Sequence, residues 1–255
     1  MLATMRRCGL PAMTCALLAA PCVQAAGEHH WSYSGHTGPA EWASMEPEFG
    51  VCGLGRTQSP IDIRDADVKK GALPAVVFDY KPSTLKIVDN GHTVQVDYAP
   101  GSFIVVDGRR YELVQFHFHK PSEEKINGKP AAMVAHLVHK SAEGNLAVVA
   151  VLLKPGQPNK LVETLWKNLP REKEKPSARD DVRIDAADLL PANKAAYYTF
   201  TGSLTTPPCS EGVTWFVMKN PTSVSSAEVT RFAQIYPMNA RPTQPLNGRE
   251  IRATP

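Results

Sequence analysis

The chain has 255 residues, with 28 Lys and Arg against 25 Asp and Glu, a formal net charge of +3. So slight a basic excess gives no electrostatic case for a nucleic-acid or membrane-surface partner. The length suits one large domain.

The first residues read as a leader rather than as part of a fold. Met5-Arg6-Arg7 is basic, Cys8 to Cys22 is a short apolar run broken by Pro11, and Val23-Gln24-Ala25 and Gln24-Ala25-Ala26 offer small-residue cleavage sites. The run is too short to span a bilayer and no later one approaches that length, so stable membrane insertion is not expected. Pro21 precedes Cys22 where a lipoprotein signal needs Gly or Ala, which argues against a lipid anchor. The expectation is a cleaved signal peptide over residues 1–26, a catalytic domain over 27–255, and a periplasmic or secreted location. Cleavage removes Cys8, Cys15 and Cys22 and leaves Cys52 and Cys209. In an oxidising compartment these suggest one disulfide across a long loop, with two buried free thiols as the alternative. Losing Arg6 and Arg7 leaves 26 basic against 25 acidic residues.

His29-His30-Trp31-Ser32-Tyr33 opens the remaining chain, and Trp42 and Phe49 are expected to pack on the body. Strand signals then dominate. Thr84 to Val88 and Thr93 to Tyr98 flank Asp89-Asn90-Gly91-His92; Ser102 to Val106 and Arg109 to His119 flank Asp107-Gly108. Met133 to Lys140 and Leu146 to Lys154 flank Glu143-Gly144-Asn145. Three successive hairpins predict a largely antiparallel sheet. Leu161, Val162, Leu165, Trp166 and Leu169 have helical spacing after Pro158-Asn159. The charged stretch from Arg171 to Asp181 reads as a surface loop. Late strands follow Tyr197 and Val213, and Ser225-Ser226-Ala227-Glu228 is a capping box opening a helix with Val229, Phe232 and Ile235 on its apolar side. The fold class is α+β, mainly β.

Gln115-Phe116-His117-Phe118-His119 is the chemically distinctive stretch. Strict alternation places Tyr111, Leu113, Gln115, His117 and His119 on one face and Val114, Phe116 and Phe118 on the other. Two imidazoles on one strand face can grip one ion, and Met133-Val134-Ala135-His136-Leu137-Val138-His139 offers a third ligand from a second strand. The alternative is a structural histidine cluster, but buried neutral imidazoles cost free energy unless each ring nitrogen finds a partner. Three neutral nitrogens and no thiolate favour zinc with a fourth position for water.

These residues resemble the alpha-class carbonic anhydrases of the secreted bacterial type. The resemblance rests on Gln58-Ser59-Pro60-Ile61-Asp62-Ile63, Asn90-Gly91-His92, Gln115-Phe116-His117-Phe118-His119, Pro121-Ser122-Glu123, His136-Leu137-Val138-His139, Gly202-Ser203-Leu204-Thr205-Thr206-Pro207-Pro208-Cys209 and Arg241-Pro242, in that order. It implies a single domain on a large, mostly antiparallel, twisted sheet of about ten strands, with short peripheral helices and zinc at the base of a cleft. His117, His119 and His136 would be the ligands. His139, on the opposite face of its strand from His136, is expected to be a packed, hydrogen-bonded residue, and the resemblance also implies that Cys52 pairs with Cys209.

By the same resemblance the reaction is reversible hydration of carbon dioxide to bicarbonate and a proton by zinc-bound hydroxide. Carbonic anhydrase is itself the standard example of zinc lowering the pKa of water from about 15.7 to about 7. His92 would carry the proton outward, with an ordinary pKa near 6.5 suiting it. Thr205 and Glu123 would orient the hydroxide, Glu123 accepting from the Thr205 hydroxyl. Val138, Leu146, Val148, Leu204, Thr206, Val213 and Trp215 would form the substrate pocket. Gln115, Glu124, Tyr33, Asn90, Gln95 and Asn239 would support the ligands and the water network, with Tyr33, Asn90 and Gln95 holding the water chain toward His92. The partner is a small molecule, and the protein is expected to be a monomer or dimer. A catalytically silent zinc-binding protein of the same fold and a secreted esterase are the rival readings.

One departure stands out. Family members usually carry Glu two residues before the third ligand, where it accepts from that ring's second nitrogen; here the place is Val134. Glu124 stands where His or Asn is usual, and Phe200 where Tyr is common. The expectation is a swap in which Glu124 supplies the carboxylate and Phe200 fills the space of the phenol, against the alternative that Glu124 faces solvent.

Overall fold

A computed structural model describes residues 30–255, so the expected leader lies outside the described residues. Thirteen strands join one sheet. Its main path runs Ser177–Ile184, Ser83–Asp89, Val94–Asp97, Arg109–His119, Met133–Lys140, Leu146–Pro155, Glu211–Met218, Tyr197–Ser203, Arg252–Ala253 and Lys69–Lys70. Phe103–Val106, Val77–Asp79 and Thr222–Val224 attach beside that path. Most pairings are antiparallel, but Leu146–Pro155 runs parallel to Glu211–Met218 and to Thr222–Val224, so the sheet is mixed.

The three expected hairpins form. Asp107 and Gly108 both take positive φ, 50° and 72°, as a tight two-residue turn needs. Both expected helices form as well. Lys160–Lys167 starts where the Asn159 side chain accepts from the amides of Leu161 and Val162, and it buries Leu161, Val162, Leu165 and Trp166. Ser226–Ala233 opens on a complete Ser225–Glu228 capping box, and its Phe232 stacks on Trp166 at 5.6 Å. Such a cap contributes about 1 kcal/mol, so docking of the two apolar faces on the sheet stabilises these helices more than their caps do.

Two expectations need correction. The stretch from Arg171 to Asp181 is not all loop, because Ser177–Ile184 is a strand antiparallel to Ser83–Asp89 at one end of the sheet path. Its exposed Arg179, Asp180 and Asp181 are the charges that keep a sheet edge from pairing further. The second correction concerns the histidine strand. Gln115 pairs with Val138, but Leu113 pairs with His139, which leaves Val114 as an unpaired extra residue. This β-bulge reverses the alternation, so Tyr111 and Leu113 share a core with Phe116 and Phe118 rather than a face with the histidines.

The sheet therefore divides two apolar clusters. One, under the helices, holds Leu113, Phe116, Phe118, Leu137 and Trp166. The other holds Val134, Val148, Phe200, Val213 and Trp215 on the side to which the histidines turn. Gly202 permits a close approach there: a Cβ on it would lie 2.1 Å from Ser59 Oγ and 2.9 Å from Trp215.

Cys52 and Cys209 are bonded across 157 residues, in a small cluster with the fully buried Trp42. Closing so long a loop removes much entropy from the unfolded chain. Cys52→Ser with Cys209→Ser is expected to lower unfolding free energy by about 3 kcal/mol. Urea unfolding of this variant beside the oxidised wild type checks this; equal midpoints would contradict it.

Candidate metal centre

The histidine strand is flanked on both sides by partners that fix His117 in register. Gln95 lies opposite it on Val94–Asp97, and His136 lies opposite it on Met133–Lys140. Val134 lies opposite His119. A direct cross-strand pair places Cβ atoms about 5 Å apart, so the register alone brings two imidazoles together. One ring nitrogen from each of His117, His119 and His136 lies within 4.8 Å of the others.

Each ring has its second nitrogen tied. His117 Nδ1 donates to Gln115 Oε1 at 2.8 Å, and His119 Nδ1 donates to the Asn239 carbonyl at 2.7 Å. His136 Nε2 meets Glu124 Oε2 at 3.1 Å. Those contacts fix the tautomers and leave Nε2, Nε2 and Nδ1 free to face one point. His119 Nε2 is buried with no hydrogen-bond partner. An orphaned imidazole nitrogen beside two more is costly for a structural cluster and is what a cation ligand needs. The donor set of three neutral nitrogens suits zinc.

The electrostatics favour the neutral ring at His117 and His119 but not at His136. Burial, with the charge of His136 behind it, holds His117 neutral down to about 3, and burial likewise lowers His119. At His136 burial works against the charged ring, but the charge and hydrogen bond of Glu124 and the charge of Glu123 outweigh it. Burial pushes Glu123 up to about 7.

Glu123 Oε1 accepts from the Arg241 amide at 2.8 Å, while Oε2 has no hydrogen-bond partner. Oε2 leans instead toward His119 Nε2 at 3.5 Å and His136 Nδ1 at 3.8 Å. A buried carboxyl group settles beside the nearest polar nitrogens, and here those are the ring nitrogens. Thr205 stays close enough to favour the ionised form of Glu123.

A cavity of about 160 Å³ opens beside the rings, lined by Gln115, His117, His136, Val138, Val148, Leu204, Thr205, Thr206 and Trp215. Leu146 and Val213 belong to the surrounding apolar cluster but not to this lining. Phe200 stacks parallel on Trp215 at 6.1 Å, and Trp215 lies 5.0 Å from the His136 ring. His139 turns to the other side of the sheet, where its Nε2 bonds the Tyr80 hydroxyl at 2.8 Å.

His92 departs from expectation. Its ring stacks on Trp31, 3.5 Å away and nearly parallel, and on His30 at 4.6 Å. Burial, followed by the charges of His30 and Lys173, lowers its pKa to about 4 rather than leaving it near 6.5. Asn90 Nδ2 bonds Gln95 Oε1 at 3.3 Å and Gln95 Nε2 bonds Asp97 Oδ1 at 2.7 Å, a polar run from the His92 turn toward His117. The Tyr33 hydroxyl is buried without a partner, and its ring lies 6.4 Å from that of His119.

Some supports have no local sequence signal. Asn239 holds His119 through its backbone carbonyl, and its side chain bonds the carbonyls of His92 and Phe118 at 3.0 and 2.9 Å. Arg241 is buried, and its guanidinium donates to Gln58 Oε1, the Ser59 carbonyl and the Cys52 carbonyl. It thereby links the disulfide segment to the Glu123 acceptor. The Arg-Pro pair is visible in sequence, but no spacing rule predicts such a clamp.

His119→Ala removes a ligand nitrogen and the contact to Asn239. The expected result is loss of stoichiometric zinc by elemental analysis, with far-UV circular dichroism unchanged. Full zinc occupancy in the variant would contradict the three-histidine assignment.

Comparison with known proteins agrees with the geometry. The sequence profile of the eukaryotic-type carbonic anhydrase family matches residues 37–255. A carbonic anhydrase of Nostoc is 43% identical over 225 residues, covering 87% of this chain and 85% of that one. A carbonic anhydrase of Neisseria gonorrhoeae is 40% identical, covering 95% and 96%. Among solved structures, the alpha-carbonic anhydrase of Thermovibrio ammonificans in complex with the inhibitor sulfanilamide superposes with a TM-score of 0.84 at 44% identity, covering 88% of this chain and 98% of that one. The chain belongs to the alpha, or eukaryotic-type, carbonic anhydrase family.

Proposed function

We propose that the chain catalyses reversible hydration of carbon dioxide to bicarbonate and a proton, with zinc held by His117, His119 and His136. The observation that carries this is the orphaned His119 Nε2 converging with two other ring nitrogens beside a small apolar cavity. When bound, zinc supplies the acidification of water that makes hydroxide available near neutral pH.

The protein's own residues do the rest. Val138, Val148, Leu204 and Trp215 offer carbon dioxide an apolar seat that a charged product leaves readily. Thr205 and Thr206 bring hydroxyls to the same cavity. Glu123 Oε2, with no partner, is the acceptor into which the Thr205 hydroxyl turns. Thr205 Oγ1 then keeps its lone pairs for the hydrogen of the oxygen nucleophile and aims that nucleophile at the carbon. Gln115, Asn239 and Glu124 hold the three rings in orientation.

His92 accepts the departing proton, assisted by Tyr33, Asn90 and Gln95. Stacked as it is, the ring is a weak base, with a pKa of about 4. A depressed imidazole pKa means that the stacked form is favoured above the ordinary value near 6.5, and that this preference is lost as pH falls from there toward 4. Release from Trp31 and His30 would return the ring to the basicity that proton transfer near neutral pH needs. The leader ending near Ala26 and the Cys52–Cys209 bridge support export to the periplasm or beyond. No helix among the described residues is long and apolar enough to cross a membrane.

Stopped-flow hydration of carbon dioxide by the zinc-loaded protein tests the reading. Turnover well above buffer is expected; full zinc occupancy without hydration would leave a binding protein, and ester turnover exceeding hydration would favour a hydrolase. Two substitutions test the shuttle. His92→Ala should lower kcat by about tenfold or more in dilute buffer, with imidazole restoring it. Trp31→Ala should raise the His92 pKa toward 6.5 in an NMR titration, and an unchanged value would contradict the stacking account.

A further inference from the structure

We propose that Glu124 is the positioning residue for the third ligand of this centre, supplying through His136 the carboxylate that its own strand lacks. This rests on the zinc reading above. His136 is the one ligand whose outer nitrogen meets a charged group. His117 and His119 bond neutral oxygens, the Gln115 amide and the Asn239 carbonyl, whereas His136 Nε2 lies 3.1 Å from Glu124 Oε2. The alternative that Glu124 faces solvent is excluded by its complete burial.

The strand of His136 offers no substitute. Two residues back on the same face is Val134, fully buried in the apolar cluster that also holds Phe200 and Trp215. None of these turns a carboxylate toward the ring. Glu124 reaches it from a different segment, whose backbone is tightly held. The Ser122 hydroxyl donates to the Glu124 carbonyl at 2.7 Å and accepts from the Ala131 amide at 2.8 Å. The next residues, Lys125–Ile126, pair with Asp62–Ile63. Glu124 Oε1 is buried with no hydrogen-bond partner, so the His136 ring is the group that compensates this carboxylate. A buried carboxylate against one ring nitrogen is expensive on its own. It is balanced when the other nitrogen of the same ring holds a dication.

The arrangement has a consequence for the reaction. Adjacent residues Glu123 and Glu124 address opposite nitrogens of one ring, Oε2 of the first 3.8 Å from Nδ1 and Oε2 of the second 3.1 Å from Nε2. A single short segment therefore sets both the third ligand and the acceptor for Thr205. Where the carboxylate lies on the ligand strand instead, those two tasks are separate.

The test measures the zinc dissociation constant by chelator competition, with the His136 Nε2–H resonance followed in the zinc-loaded protein. The proteins are wild type, Glu124→Gln, Glu124→Ala, and Glu124→Ala with Val134→Glu. Loss of the carboxylate is expected to weaken zinc binding by about 10–100-fold and to shift the Nε2–H resonance, and Val134→Glu is expected to recover most of the loss. Glu124→Gln keeps size and an acceptor oxygen, so it reads the charge even if the alanine variant folds poorly. Zinc affinity within twofold of wild type in Glu124→Gln and an unmoved resonance would overturn the proposal. So would weakened binding that Val134→Glu leaves unrecovered and that tracks an equal loss of zinc-free stability. A wild-type protein that binds no zinc would instead refute the metal reading on which this one stands.

Discussion

His117 and His136 face one another because two antiparallel strands are locked in a register that a single extra residue makes consistent with the core. Val114 absorbs the mismatch. Without the bulge, the strand that buries Tyr111 and Leu113 under the helices would turn His117 and His119 into the same hydrophobic layer. With it, Tyr111, Leu113, Phe116 and Phe118 all stay in one core while the imidazoles emerge on the other side of the sheet. A one-residue slip would exchange the two faces, so the three-histidine cluster and the larger core share one geometric condition.

Around that register the site is held from near and far in the chain. Gln115 belongs to the histidine strand itself, Glu124 to the segment that follows it, and Asn239 to a loop 120 residues from the ring it holds. Arg241 and the Cys52–Cys209 bridge bind the loop carrying Thr205 to the N-terminal segment and to Glu123. Among the described residues six buried side-chain atoms lack a hydrogen-bond partner; His119 Nε2, Glu123 Oε2 and Glu124 Oε1 cluster around the rings, while the Tyr33 hydroxyl, Arg241 Nε and His139 Nδ1 are the other three. A cluster of such atoms in an otherwise well-paired interior marks the place where function, rather than stability, set the residues.

Much of this is legible in the sequence. Asn90-Gly91, Asp107-Gly108 and Glu143-Gly144-Asn145 announce their hairpins because turn chemistry is local, and Ser225 with Glu228 announces its helix for the same reason. The choice of His136 over His139 follows from alternation along a strand that runs regularly through both. Alternation fails at Val114 because a bulge responds to packing between strands, which one strand's pattern does not contain. The strand at Ser177–Ile184 is hidden because an edge strand carries charges that also suit a loop. The basicity of His92 escapes a sequence reading because it depends on the rings of Trp31 and His30, whose approach is a tertiary contact. The carbonyl of Asn239 leaves no trace in residue identity at all.

The measurement that bears most directly on the account is zinc K-edge X-ray absorption on the metal-loaded protein. Three imidazole nitrogens from residues 117, 119 and 136 predict a first shell of nitrogen and oxygen at about 2.0–2.1 Å, with outer-shell scattering that fits three rings. The same spectrum from the His119→Ala protein should lose one of those rings or the metal itself. Sulfur scatterers, or outer-shell scattering from fewer than three imidazoles in the wild type, would contradict it.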